Sequence, residues 1–344
     1  MQVMSFDVTP RVLTTVGDEV LFLGGTTGMA RLQADRIPDA TGGAVFMHLQ
    51  DMLVESRTQL ITAYERGNHY PRYFASAGLA IKRCADEYRY VDLAARERID
   101  SLMTDAESLP DNQSLGGDPD DHGATRSSIY EAMDSDAMPG DWSDWTTVRG
   151  FLDYGASLTA WLSLANLYSS PIDGLLDSLA GEWEVLDEAW NSLHRLELYW
   201  EAIREEMAES IAYLDTGWSG NAASRVFDWF DQFDGLLRDH AIGISERKDR
   251  VIFLHDGLQI TIEGLRPYLD MIAAILEEYA ASTITWVDAA GRLVNVYSWA
   301  LMIVDGLFVS AGLVNLGFSL LPVRDLRYPD DSLSALTAPD VAGP

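Results

Sequence analysis

Trp183-Glu184-Val185-Leu186-Asp187-Glu188-Ala189-Trp190 opens the stretch that decides the fold. From it, Trp183, Leu186, Trp190, Leu193, Trp200, Ile203, Met207, Ile211 and Leu214 recur at helical intervals over 32 residues. Such spacing marks one apolar stripe on an α-helix, and at 1.5 Å per residue it describes a rod of roughly 48 Å. The rod stops at Asp215-Thr216-Gly217-Trp218-Ser219-Gly220. A second stripe then runs through Val226, Phe230, Phe233, Leu237, Val251, Leu254, Leu258, Ile262, Leu265, Leu269, Ile272 and Leu276, with glycines and Pro267 expected to bend it. No alternating apolar pattern competes with these periods, so the chain is expected to be all-α.

The first hundred residues read the same way on a smaller scale. Thr9 before Pro10 is a helix opening, with a hydroxyl to cap and a proline at the first turn. Val12, Val16, Val20 and Leu21 follow, with Gly24 and Gly25 weakening the middle. After the turn Pro38-Asp39-Ala40-Thr41-Gly42-Gly43, a second helix carries Leu49, Met52, Leu53 and Leu60. It passes a kink near Pro71 and continues through Phe74, Ala77, Ile81, Cys84, Tyr88, Val91 and Ala95. A short Gly-rich turn between long helices predicts an antiparallel hairpin. The expected fold is therefore an elongated bundle of two antiparallel helical hairpins, with a C-terminal apolar helical segment.

Charge divides the chain. Residues 1–104 carry 13 acidic and 11 basic side chains, and residues 105–147 carry 11 acidic and one basic. The block TDAESLPDNQSLGGDPDDHGATRSS has no sustained apolar period and reads as an acidic flexible linker between two folded parts, 1–104 and 148–284. The total charge of −30 repels phosphate backbones and anionic lipid, which argues against a nucleic-acid partner. Within the linker, Gly116-Gly117-Asp118-Pro119-Asp120-Asp121 clusters oxygen ligands that attract hard cations such as calcium, at a spacing unlike an EF-hand.

Residues 285–325 form the apolar segment, and from Leu293 to Val323 the one charged residue is Asp305. That length suffices to cross a bilayer. Asn295, Ser298, Asn315 and Ser319 favour instead a buried helix against the bundle. The tail 326–344, with its prolines, Ser and Asp, reads as disordered.

The inventory of reactive groups is thin. Cys84 is the one cysteine, so it makes no internal disulfide, and clustered thiolate zinc sites are excluded. The histidines His48, His69, His122, His194, His240 and His255 are scattered without a His-Glu-x-x-His pattern, and no Gly-x-Ser-x-Gly elbow or Gly-x-x-x-x-Gly-Lys loop occurs. Glu205/Glu206 and Glu277/Glu278 read as solvated charge, and the Trp183/Trp190/Trp200 stripe as core. No enzymatic activity, cofactor or resident metal is expected. The opening MQVMSFDVTP lacks a charged region followed by an apolar one, so no cleaved signal peptide is expected.

Two short motifs stand out by position. Trp218-Ser219-Gly220 sits where two long helices reverse, which makes the indole either a plug over the end of the core or an exposed anchor. Tyr88 and Asp92, four residues apart, share one helix face. The other such pair in the chain is Tyr130 with Asp134, so the spacing alone carries no function.

In this order, the two motifs resemble the layout of type VII (ESX) secretion substrates of the WxG / PE–PPE superfamily. There, a hairpin bearing Tyr-x-x-x-Asp/Glu precedes a longer hairpin with Trp-x-Gly at its turn. The stretch Ala85-Asp86-Glu87-Tyr88-Arg89-Tyr90-Val91-Asp92-Leu93-Ala94-Ala95 is similar to the signal helix of EspB-like single-chain fusions, and Ser5-Phe6-Asp7-Val8-Thr9-Pro10 to the start of small substrates. The resemblance covers roughly residues 5–104, PE-like, and 148–283, PPE-like. It departs at Thr41-Gly42-Gly43, at the long linker and at the apolar end. It implies a secreted, non-enzymatic protein at the cell surface or outside the cell, exported folded through a composite signal of Tyr88, Asp92, Trp218 and Gly220. The implied partners are a secretion ATPase, a dedicated chaperone and further copies of the chain in a ring. The alternative is a membrane-inserting effector that uses residues 293–323, with the helices before it as a delivery module.

Overall fold

A computed structural model describes residues 8–39, 44–65, 69–102, 126–135, 145–164, 173, 176–177, 181–285, 287–296, 298–299, 302 and 326. Among them the protein is an all-α bundle. Its helices are α1 (Pro10–Asp35), α2 (Ala44–Tyr64), α3 (His69–Leu102), α4 (Arg126–Asp134), α5 (Thr146–Leu164), α6 (Glu184–Gly217) and α7 (Asn221–Ala280). A further helical run occupies 287–296. No strand forms among the described residues; one isolated antiparallel bridge joins Val8 to Trp218.

The longer hairpin follows its apolar period. Trp183, Leu186, Trp190, Leu193, Trp200, Ile203, Met207 and Leu214 are buried, as are Val226, Phe230, Phe233, Leu237, Val251, Ile262, Leu265, Leu269, Ile272 and Leu276. Helix α6 runs 34 residues and α7 runs 60, or roughly 51 and 90 Å. The far half of α7 therefore extends past α6, and α5 packs along it. Pro267 lies inside the continuous α7 helix. Antiparallel pairing is fixed at two levels: Arg204 holds Asp234 through two hydrogen bonds of 2.8 and 3.0 Å, and Lys248 pairs with Glu197.

In the first half, the antiparallel partner of α1 is α3. Gly17 and Gly78 meet face to face, where a Cβ on either would lie 2.9 or 2.7 Å from the other's carbonyl oxygen. Lys82 reaches Asp18 at 2.5 Å on the same seam. Three local expectations change. Gly24 does not weaken α1; a Cβ there would lie 2.8 Å from Cβ of Phe74, so the glycine lets α3 approach. Pro71 does not kink one long helix. The chain breaks after α2, and Pro71 falls in the first turn of α3, where its missing N–H costs no helical bond. Thr9 makes no side-chain cap; Pro10 occupies the first turn, and the Thr9 backbone N–H is directed elsewhere in the fold.

Part of the acidic stretch 105–147 is folded, and its residues 105–125 and 136–144 lie outside the described residues. Its residues 126–134 form α4, which buries Ile129 and Ala132 against α6, and Trp145 is buried with its indole donating to Asp187 at 2.7 Å. Apolar side chains one turn apart give this short helix a face to bury, whatever the charge around it. The candidate cation cluster Gly116–Asp121 lies outside the described residues, as does most of the tail 326–344.

Helix α1 packs on α6 as well as on α3, so the two halves share one core. Buried polar groups register that interface. Thr26 bonds Leu23 O at 2.8 Å and the Tyr199 hydroxyl at 2.9 Å. Tyr64 receives the Trp200 indole N–H at 2.8 Å and lies 2.7 Å from Nε2 of His240. The indole can only donate, so Tyr64 accepts there; its oxygen keeps a second lone pair, and the direction of the Tyr64–His240 bond follows the imidazole tautomer. Arg247 donates to Ser56 Oγ, Gln59 Oε1 and Gly243 O at 2.8 to 3.1 Å. At the C-terminal end Ala289, Leu293 and Val296 are buried while Val294, Trp299 and Met302 are exposed. No helix among the described residues is long and apolar enough to cross a membrane, and 303–325 lie outside them.

Candidate functional site

The end of the bundle where α6 turns into α7 is assembled from three distant pieces of chain. Helix α6 ends at Gly217, Trp218 turns extended, and α7 restarts after Gly220. Gly220 has φ 113 and ψ −175, a backbone region open to glycine and closed to residues with a Cβ. The third position of the Trp-x-Gly motif is thus dictated by the reversal itself. Alanine at Gly220 is expected to lower stability by about 1–3 kcal/mol. Alanine at Gly235, inside α7 with open space around its Cβ, is expected to raise it by about 0.5–1 kcal/mol. Urea unfolding of the two variants checks the opposite signs.

The turn is clasped by the N-terminal segment. The Thr9 N–H donates to Gly217 O at 2.7 Å, and Val8 bridges Trp218. A Cβ on Gly217 would lie 2.8 to 3.1 Å from the Val12 side chain, so the first turn of α1 rests directly on that glycine. Beneath the clasp Trp218 is 1% exposed. Of the two readings open for a tip tryptophan, the structure shows the plug; the indole is not presented to solvent.

Tyr88, on α3, closes the same end. It is half-buried and packs against the core beside Trp218. Burial raises its phenol pKa, and the nearby Trp218 indole pulls it partly back. The indole N–H itself has no partner within hydrogen-bond geometry among the described residues, so it acts on the phenol by proximity rather than through a formed bond. Arg89 donates to Thr14 Oγ1 at 3.3 Å, tying α3 to α1 here, and Tyr90 is 73% exposed. Asp92 lies one turn further along α3; its side chain is outside the described residues. Of the four nominated residues, Tyr88, Trp218 and Gly220 therefore share one end.

Val8, Thr9, Val12 and Gly217 belong to the same junction and were not nominated. The one hint to them is a glycine directly before the tip tryptophan, since a residue without a side chain beside a buried one invites close backbone approach.

No cluster of three or more His, Cys, Asp or Glu suited to a metal occurs among the described residues. Cys84, one turn before Tyr88, is buried, and burial pushes its thiol up to about 11, which keeps it protonated. Among the histidines, His240 and His255 are buried and His194 stacks on Trp190. The chain matches no protein-family model, no curated protein and no solved structure.

Proposed function

We propose that this protein is a non-enzymatic substrate of a type VII (ESX) secretion system, recognised as a folded bundle by a secretion ATPase with a dedicated chaperone. One observation carries the reading. Tyr88 and Trp218, 130 positions apart in the chain, meet at one end of the bundle. A signal split between two distant segments is complete only after folding, so export would require the native bundle. The buried indole then serves to hold the end in shape. The surface available to a partner at this end includes the half-buried Tyr88 and the exposed Arg89, with the exposed Ser219 at the turn. Outside the cell the protein would act as a scaffold or assemble with further copies.

Export of Tyr88→Phe and Tyr88→Ala variants from cells carrying the secretion system tests this. Tyr88→Ala is expected to stay inside the cell while keeping native circular dichroism. Normal amounts of a folded Tyr88→Ala in the medium would remove the assignment.

A further inference from the structure

On the surface between α6 and α7, next to the turn, lies an open groove of about 860 Å³. Its α6 wall is one continuous helix face from Glu201 to Asp215, a length of roughly 21 Å that accommodates about four turns of a second helix. The floor is apolar: Met207, Ile211, Phe227 and Phe230 line it, and Ala208 and Ala212 keep the α6 wall low enough for close approach. Ile211 lies on the core stripe by sequence but remains half-exposed, because it faces this groove.

The rim has a single sign. Glu201, Glu205, Asp215 and Asp231 are exposed, and none is ion-paired among the described residues. The one cation in the lining, Arg204, is held by both oxygens of Asp234. Glu201 and Glu205 stand one turn apart on the same face, where like charges repel. A cationic neighbour would relieve that repulsion, and a second copy of a chain with net charge −30 would add to it.

We propose that this groove docks a cationic amphipathic helix of a partner protein, its apolar stripe on Ile211 and Phe227 and its basic flanks against the two acidic walls. None of the groove residues belongs to the Tyr88–Trp218 junction, so the proposal stands or falls apart from the export reading.

The probe is a labelled synthetic leucine–lysine peptide of about 14 residues with leucines at helical spacing. Its partners are the full-length protein and three variants, read by fluorescence anisotropy. The paired change Glu205→Lys with Asp231→Lys is expected to weaken binding about tenfold or more and to flatten its salt dependence. Ile211→Glu is expected to weaken it similarly. Asp249→Lys with Glu263→Lys, exposed on α7 away from the groove, changes the net charge equally and is expected to leave binding intact. Equal binding of a scrambled peptide, equal loss with the distant pair, or no binding at all would overturn the proposal. Conversion of an oligomer to monomer by Ile211→Glu in sedimentation would overturn it too, by making the occupant a second copy. Circular dichroism verifies each fold, and should Ile211→Glu unfold, the two charge pairs decide alone.

Discussion

Trp218→Ala is expected to destabilise the bundle by about 3–5 kcal/mol, the range for emptying a fully buried aromatic site. The indole is 1% exposed and is covered by the Val8 bridge and by the first turn of α1 resting on Gly217. Removing it opens a cavity directly under the clasp that the Thr9 N–H to Gly217 O bond helps to close. Trp218→Phe is expected to cost far less, about 1–2 kcal/mol, because it keeps most of the apolar volume. Among the described residues the indole N–H has no partner within hydrogen-bond geometry to lose. Urea unfolding of the two variants measures the difference. An alanine variant within 1 kcal/mol of the unaltered protein would mean the tip is not packed as described. Under the export reading the comparison separates two causes. A loss of secretion in Trp218→Ala follows from the loosened end, whereas a loss in a folded Tyr88 variant reports the contact surface itself.

The second large effect lies in the core. Burial, helped by the positive charge of Arg247, lowers the His240 pKa from 6.5 to about 3. The folded state therefore binds fewer protons than the unfolded chain between those values, and stability falls as pH falls through that window. The loss attributable to His240 is about 2 kcal/mol by pH 5 and on the order of 4 kcal/mol near pH 3. The mechanism is local: the imidazole is 0% exposed with Tyr64 at its Nε2, so protonation leaves a cation in the core that water does not reach. The contribution is complete above about pH 6.5. Comparing urea unfolding at pH 7 and pH 5 for the unaltered protein and His240→Gln isolates it. The variant is expected to lose about 2 kcal/mol less, while the carboxylates Asp187 and Glu197 titrate in both proteins and cancel. Equal losses would show that the imidazole is solvated.

The long hairpin was legible because its core obeys a single period: every described large side chain of the Trp183–Leu214 stripe except Ile211 is buried. Ile211 departs because a period reports which face is apolar and not what covers it. The same limit hides the pairing of α1 with α6. Thr26 and Tyr199 stand 173 positions apart, and nothing in either local pattern names the other. Helix α4 escaped for a different reason. Nine residues with Ile129 and Ala132 inward are too short a run to outweigh the acidic surroundings. At the candidate site, the turn glycine and the tip tryptophan were readable from position. The clasp was not, because a single bridge between Val8 and Trp218 leaves no periodic trace.

That clasp also orders events in time. The segment around Val8 leaves the ribosome ahead of the turn it must seize, which is translated 210 residues later. At ordinary elongation rates the delay is about 10–40 s. Throughout that interval Val8 and Thr9 have no partner to pair with, and this pole of the molecule closes only once α6 is finished. A nascent chain stalled before Gly217 would thus carry a first hairpin without its latch.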